Sequence, residues 1–194
     1  MILALACAAS FLIGAIPTAF LFVKFLKGTD IREVGSGNVG ATNASRVLGK
    51  KMGFVIFAID FLKGFLPVIF FSRLLGFPVS GFNAFALIGF CAIFGHVFNP
   101  FLGFKGGKGI ATGGGVLAAS FPVMFLAAIA IFAISFLLTK IVSVSSMLAG
   151  IALPVLSLIF HHSPSIQYAF LFLAVFGLWT HRSNIHRLIT GQGH

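Results

Sequence analysis

Long stretches almost free of charge alternate along this chain with short polar clusters, a pattern that predicts membrane-length helices joined by loops. The apolar runs and their punctuation place spans at Ile2–Phe25, Gly53–Phe71, Phe82–Val97, Ile110–Ser120, Pro122–Leu138, Ser146–Phe160 and Ile166–Trp179. Several approach the ~20 residues needed to cross ~30 Å of hydrocarbon, whereas the strands of a β-barrel would be shorter and alternate in polarity. The stretch 110–138 fits two descriptions. It is either one tilted helix of ~43 Å, at 1.5 Å per residue, or two helices broken at Phe121-Pro122, where proline cannot continue the preceding turn.

Charge separates the two. With seven spans and the N-terminus outside, the first, third and fifth loops and the tail lie inside. They carry Lys24, Lys27, Arg32, Arg46, Lys50, Lys51, Lys105, Lys108, Lys140, Arg182 and Arg187, eleven of the thirteen basic residues. Arg73 alone falls outside, and Lys63 lies within a span. This satisfies the positive-inside rule, while six spans, with 110–138 as one helix, would put Lys140 and the tail arginines outside. The expected fold is therefore an all-α integral membrane protein, a polytopic bundle of about seven transmembrane helices. Its N-terminus is outside, its C-terminus cytoplasmic, and residues 1–194 form a single membrane-embedded domain.

Composition excludes a soluble protein: 59% of residues are hydrophobic, 26 are Phe and only 8% are charged, with a mean hydropathy of +1.11. The phenylalanines read as lipid-facing and packing residues. Met1–Ala15 lacks the basic n-region of a cleavable signal peptide and reads as part of the first span. Cys7 and Cys91 have no Cys or His at ligand spacing, so they read as packing residues.

Two polar islands stand out from this background. The first is Gly35-Ser36-Gly37-Asn38-Val39-Gly40-Ala41-Thr42-Asn43, and the second is Phe104-Lys105-Gly106-Gly107-Lys108-Gly109. The seven-span parity puts both on the cytosolic face, with Ser143-Val144-Ser145-Ser146 and the tail from His181 to Arg187. Part of the net charge of +10 follows from topology and from attraction to anionic lipid. Its clustering with glycine and asparagine is less ordinary. Glycine accepts positive φ and lets backbone N–H groups converge on an anion.

In the first island, Gly35, Gly37 and Gly40 provide backbone, and Ser36, Asn38, Thr42 and Asn43 add side-chain donors. Arg46 follows. That set can hold a phosphate; the plainer reading is a run of glycine turns with a helix cap at Thr42 or Asn43. In the second island, Lys105, Gly106, Gly107 and Lys108 can direct N–H groups and two ammonium ions at one anion, just ahead of the helix beginning near Ile110. The plainer reading there is a basic membrane anchor. It is no nucleotide P-loop, since Gly109 stands where Ser or Thr would bind magnesium and no strand precedes it.

Asp60 and Lys63 lie i, i+3 in the second span and read as a mutual ion pair. His96 reads as a general base, a phosphate donor or an interfacial histidine. Ser143 and Ser146 flank a turn before the sixth span and serve either substrate or helix capping. Arg182 and Asn184 serve either substrate or interfacial anchoring, and His161 and His162 fall on the opposite face. The acids are just three, Asp30, Glu33 and Asp60, and every histidine follows the last of them. A histidine followed, after four intervening residues, by aspartate, as in the common glycerolipid acyltransferases, is therefore impossible, and paired-carboxylate metal chemistry has no support.

The motifs G-S-G-N-V-G-A-T-N at 35–43, G-H-V-F-N-P-F-L-G-F-K-G-G-K-G at 95–109 and H-R-S-N-I-H-R-L at 181–188 resemble the three signatures of the PlsY-type acyl-phosphate:glycerol-3-phosphate acyltransferases. The resemblance covers nearly the whole chain. Pro100, one residue later than in many relatives, and Gln192, where a glutamate is often found, depart from the pattern. Neither touches a phosphate donor.

The resemblance implies transfer of a fatty acyl group from acyl phosphate to the 1-hydroxyl of sn-glycerol 3-phosphate, the first acylation of bacterial phospholipid synthesis. It further implies a cytoplasmic (inner) membrane enzyme with its site on the cytoplasmic side, whose partners are the two substrates and the bilayer. No metal, cofactor or nucleic acid is implied. On this reading Ser36, Asn38, Thr42, Asn43 and the nearby glycine N–H groups hold the acyl phosphate, with Lys108 assisting. Arg46, Lys105, Ser143, His181 and Asn184 hold glycerol 3-phosphate. Ser36, Lys105, His96 and Asn184 are the candidate catalytic residues, with His96 as general base competing against proton transfer to the donor's own phosphate. The alternative class is a transporter or channel for a phosphorylated metabolite, which Gly113-Gly114-Gly115 and Pro122 would favour as helix breaks.

Overall fold

A computed structural model describes residues 1–191, so Gln192 lies outside the described residues. The apolar runs form helices α1 (Ile2–Gly14), α2 (Thr18–Lys27), α3 (Ala41–Leu48), α4 (Lys50–Leu75) and α5 (Phe90–Val97). They continue as α6 (Ile110–Ser120), α7 (Pro122–Thr139), α8 (Val142–Ile159), α9 (Pro164–Thr180) and α10 (Arg182–Ile189). A π-helical segment, Asn83–Gly89, leads into α5. Among the described residues, five stretches are long and apolar enough to cross a membrane: 2–27, 50–75, 83–102, 122–139 and 142–159. Two shorter apolar helices, α6 and α9, accompany them.

The break expected at Phe121-Pro122 is present: α6 ends at Ser120 and α7 opens with Pro122 in its first turn, where a missing N–H costs nothing. A second break was not expected. The run 2–25, read as one span, divides into α1 and α2 at Ala15–Pro17, because Pro17 has no N–H to offer the turn before it. Carbonyls freed inside a membrane need other donors. Asn99 Nδ2 donates to Ala15 O, and Lys63 Nζ donates to Ile16 O. Lys63 therefore does more than pair with Asp60.

Two further expectations change. Residues 41–48 and 182–189, read as loop and tail, are short amphipathic helices. Thr42 and Asn43 lie inside α3, whose N-cap is Gly40 with no side-chain cap, and Ser143 and Ser146 lie inside α8, whose N-cap is Ile141. The capping roles read for these four residues are not what the helices use.

The chain divides at Ser120 into two compact units. In the first, α4 packs along α6 and α1 along α5, with α3 seated on α4 and α2. A Cβ on Gly64 would meet Thr112 O, and one on Gly115 would meet Phe61 O, so backbones touch from both sides of the α4–α6 seam. In the second unit α7, α8 and α9 pack in chain order, α10 follows α9, and Phe121 stacks edge-on against Phe170 at 5.5 Å.

Candidate active site

The loop before α3 is held by polar and apolar fastenings together. Ile31–Glu33 forms a 3₁₀ turn whose N-cap, Asp30, accepts from Arg32 N–H at 2.9 Å. The Arg32 guanidinium closes on both carboxylate oxygens at 3.0 and 2.6 Å and lies over Phe20. That pairing holds the Asp30 carboxyl below its usual range and commits it to the turn. Gly35 and Gly37 take φ of +60° and +70°, conformations that a side chain would resist.

Asn43 closes the loop. Its Oδ1 accepts from Ser36 N–H at 2.9 Å, and its Nδ2 donates to Ile31 O at 3.2 Å and Val34 O at 3.0 Å. The residue is 1% exposed, and both of its donors are used on the backbone. What this fastening presents is different in kind: Ser36 and Asn38 are half-buried, Thr42 and Arg46 are exposed, and none has a side-chain hydrogen bond among the described residues. Behind them α3 begins without a side-chain cap, leaving the N–H groups of its first turn for an outside acceptor.

The second island is anchored through Asn99. Its Oδ1 accepts from Phe101 N–H at 3.0 Å, and its backbone oxygen accepts from Phe104 N–H at 2.8 Å. Gly103 and Phe104 then both take positive φ, +65° and +62°. A phenylalanine in that region costs on the order of 1–3 kcal/mol, and it stands directly before Lys105. Lys105 is exposed and has no hydrogen bond or ion pair among the described residues.

The glycines behind Lys105 act differently from the anion nest expected of them. Gly106 N–H donates to Val97 O at 3.0 Å and Gly107 N–H to His96 O at 3.1 Å, so both donors are already engaged. Their contribution is clearance. A Cβ on Gly107 would strike His96 Nε2 and the carbonyl of Val39, which belongs to the first island. The two islands meet at this point. A buried apolar cluster fixes the meeting from beneath, uniting Val39, Ala44 and Ile31 with Leu102 from the turn ahead of the second island, Ile56 of α4, and Ala19 and Val23 of α2.

His96 is 8% exposed, with its Nδ1 4.0 Å from Asp60 Oδ1. Asp60 Oδ1 in turn accepts from Lys63 Nζ at 2.6 Å, both side chains being almost wholly buried. The Nε2 edge of the ring abuts Gly107. A base needs a path from its nitrogen to the hydroxyl it deprotonates, and this ring is enclosed by the loop it supports.

The remaining candidates lie in the second unit. Ser143 is half-buried in the first turn of α8. His181 is 2% exposed, with Nδ1 2.8 Å from Gly177 O, and Asn184 N–H donates to His181 O at 2.8 Å. Arg182 donates to Trp179 O at 3.1 Å and stacks on that indole at 4.5 Å, an interfacial anchoring. His162, in the loop between α8 and α9, packs against Phe121, and burial lowers its pKa.

Sequence reasoning assigned no role to Asn99, Thr18 or Pro17. The available signals were a proline inside an apolar run and an Asn-Pro step at the edge of a polar island.

Fold and loops together define a multi-pass, all-helical membrane protein with polar, glycine-built loops at its helix ends. Residues 4–191 match the family described as Glycerol-3-phosphate acyltransferase, and the chain belongs to that family. It is 44% identical over 191 residues to the glycerol-3-phosphate acyltransferase of Bacillus subtilis (strain 168), covering 97% of this chain and 95% of that one. It is 42% identical over 211 residues to the enzyme of Chlorobaculum tepidum, covering 94% and 91%. Among solved structures it is similar to PlsY (YgiH), an integral membrane glycerol 3-phosphate acyltransferase. The glycerol 3-phosphate form matches with a TM-score of 0.91 at 35% identity, covering 99% of this chain and 94% of that chain. The lysophosphatidic acid form matches at 0.88 and 34%, with the same coverage. The chain is thus an acyltransferase acting on glycerol 3-phosphate, and the transporter reading falls.

Proposed function

We propose that this acyltransferase takes its acyl group from acyl phosphate and places it on the 1-hydroxyl of sn-glycerol 3-phosphate. The hydroxyl oxygen attacks the acyl carbon, the ester bond forms, and the bond from that carbon to the phosphate oxygen breaks. The hydroxyl proton leaves with the departing phosphate, and 1-acylglycerol 3-phosphate is released. An acyl phosphate is already activated, so positioning and charge stabilisation suffice for most of the acceleration. The single observation that carries this reading is the uncapped N-terminus of α3, with Ser36 and Thr42 beside it and Asn43 securing the loop.

In this proposal Ser36, Asn38, Thr42 and the first-turn N–H groups of α3 hold the donor phosphate. Lys105 and Arg46, exposed cations without partners among the described residues, hold glycerol 3-phosphate, and Ser143, His181 and Asn184 are further donors to it by motif resemblance. Asn43, Gly106, Gly107 and His96 shape the loops. The enzyme crosses the bacterial inner membrane seven times as one domain, N-terminus outside, with its chemistry on the cytoplasmic side.

Purified protein given palmitoyl phosphate and glycerol 3-phosphate is expected to release phosphate and lysophosphatidic acid in equal amounts; a folded sample releasing neither sinks the donor assignment. Lys105→Ala is expected to abolish turnover and His96→Gln to lower it only a few-fold. Loss of a general base typically costs 10²–10⁴-fold, so a drop of that size in His96→Gln would restore the base.

A further inference from the structure

The α1–α2 break turns two backbone carbonyls toward side chains of other elements, Ala15 O toward Asn99 and Ile16 O toward Lys63. Lys63 also pairs with Asp60, and His96 Nδ1 stands 4.0 Å from the same carboxylate oxygen. That separation is too long for a direct hydrogen bond and is of the size a water bridges. Thr18, the first residue of α2, lines one small cleft together with Asp60, His96, Asn99, Val39 and Gly107. It is 4% exposed, and its Oγ1 has no hydrogen-bond partner among the described residues.

A hydroxyl buried without a partner in a cleft that also exposes a carboxylate and an imidazole marks a hydration site, because buried waters make about three hydrogen bonds to such groups. We propose that this cleft binds one ordered water held by Thr18 Oγ1, the Asp60 carboxylate and His96 Nδ1, and that the completed cluster positions the 105–109 loop.

The route from cluster to loop is short. The carbonyls of His96 and Val97 receive the N–H groups of Gly107 and Gly106, and the His96 ring edge bears on Gly107 itself. Lys105 is the next residue along. A ring tied through water to Asp60 and Thr18, with Asp60 tied to Lys63 and so to the α1–α2 break, fixes the ground on which Lys105 stands. Thr18 and Asp60 are thus positioning residues. Their effect on glycerol 3-phosphate rests on the assignment of Lys105 to that substrate proposed above.

The test uses Thr18→Val, which removes the hydroxyl at nearly constant volume, and Thr18→Ser, which keeps it. In purified, folded enzyme Thr18→Val is expected to raise KM for glycerol 3-phosphate roughly tenfold and to leave KM for palmitoyl phosphate within about twofold. Thr18→Ser is expected to behave as the parent enzyme. Unchanged kinetics in Thr18→Val, a parallel rise in both KM values, or a Thr18→Ser as impaired as Thr18→Val would each overturn the proposal. If the KM for palmitoyl phosphate rises alone and Thr18→Ser restores it, the cluster stands and the substrate assigned to Lys105 is wrong. Should the parent enzyme make no product, a crystal structure decides: a water within hydrogen-bonding distance of Thr18 Oγ1, Asp60 and His96 supports the cluster, and a dry cleft ends it.

Discussion

Asn43 shows how little of a residue's use is visible in its chemistry alone. An asparagine in a glycine-rich loop reads as a phosphate donor, yet three hydrogen bonds to the backbone of residues 31–36 consume its amide. Gly106 and Gly107 changed in the same sense, from anion donors to residues chosen for their missing Cβ. Removing the amide takes the acceptor from Ser36 N–H and one of two donors from each of the Ile31 and Val34 carbonyls, which also accept from Val34 and Gly37 N–H. Asn43→Ala is therefore expected to destabilise the protein by about 1–3 kcal/mol, read as a lowered midpoint of thermal unfolding in detergent. An unchanged midpoint would mean that the loop is held by its apolar contacts alone.

Among the elements, α4 and α6 depend on mutual backbone contact, while α1 and α2 depend on side chains from elsewhere. Gly64 and Gly115 let α4 and α6 approach until carbonyls meet Cα atoms, which suits helices that gain no hydrophobic advantage from leaving lipid. Gly115→Ala is expected to cost about 1–3 kcal/mol by overpacking. Gly150→Ala, in α8 with nothing within 4 Å of its added Cβ, is the matched control and is expected to be neutral or slightly stabilising. Thermal unfolding of the two variants side by side checks this; equal midpoints would show that α4 and α6 part without penalty. The α1–α2 break works the other way. At the proline break Asn99 donates to Ala15 O, and Lys63 joins Thr18 N–H in donating to Ile16 O, so an apparently structural ion pair and an unremarked asparagine become parts of one joint.

At the scale of the whole molecule, the charge pattern remains the argument for sidedness. Eleven of thirteen basic residues fall on one side only if the chain crosses seven times and breaks at Pro122. The break itself is present between α6 and α7. In a background without Cys7 and Cys91, Lys140→Cys is expected to resist a membrane-impermeant thiol reagent in intact cells, while Arg73→Cys reacts. Labelling of Lys140→Cys from outside would reduce the crossings to six.

Hydropathy, proline and charge are local or additive properties, so the sequence by itself determined that this is a helical membrane protein, where most of its helices run, and which loops are polar. The ordered motifs likewise sufficed for the family, because three signatures at fixed spacing leave little room for coincidence. Hydrogen-bond partners are neither local nor additive. Whether Asn43 faces a ligand or a carbonyl, whether Gly107 offers its N–H or merely its bareness, and whether His96 can reach a hydroxyl were decided when α3, α5 and the two islands packed around Val39, Leu102 and Ile56. The tertiary structure also made one joint of Lys63, Asn99 and the Pro17 break, residues up to 84 positions apart, since a carbonyl freed in a membrane must find its donor wherever the fold brings one near.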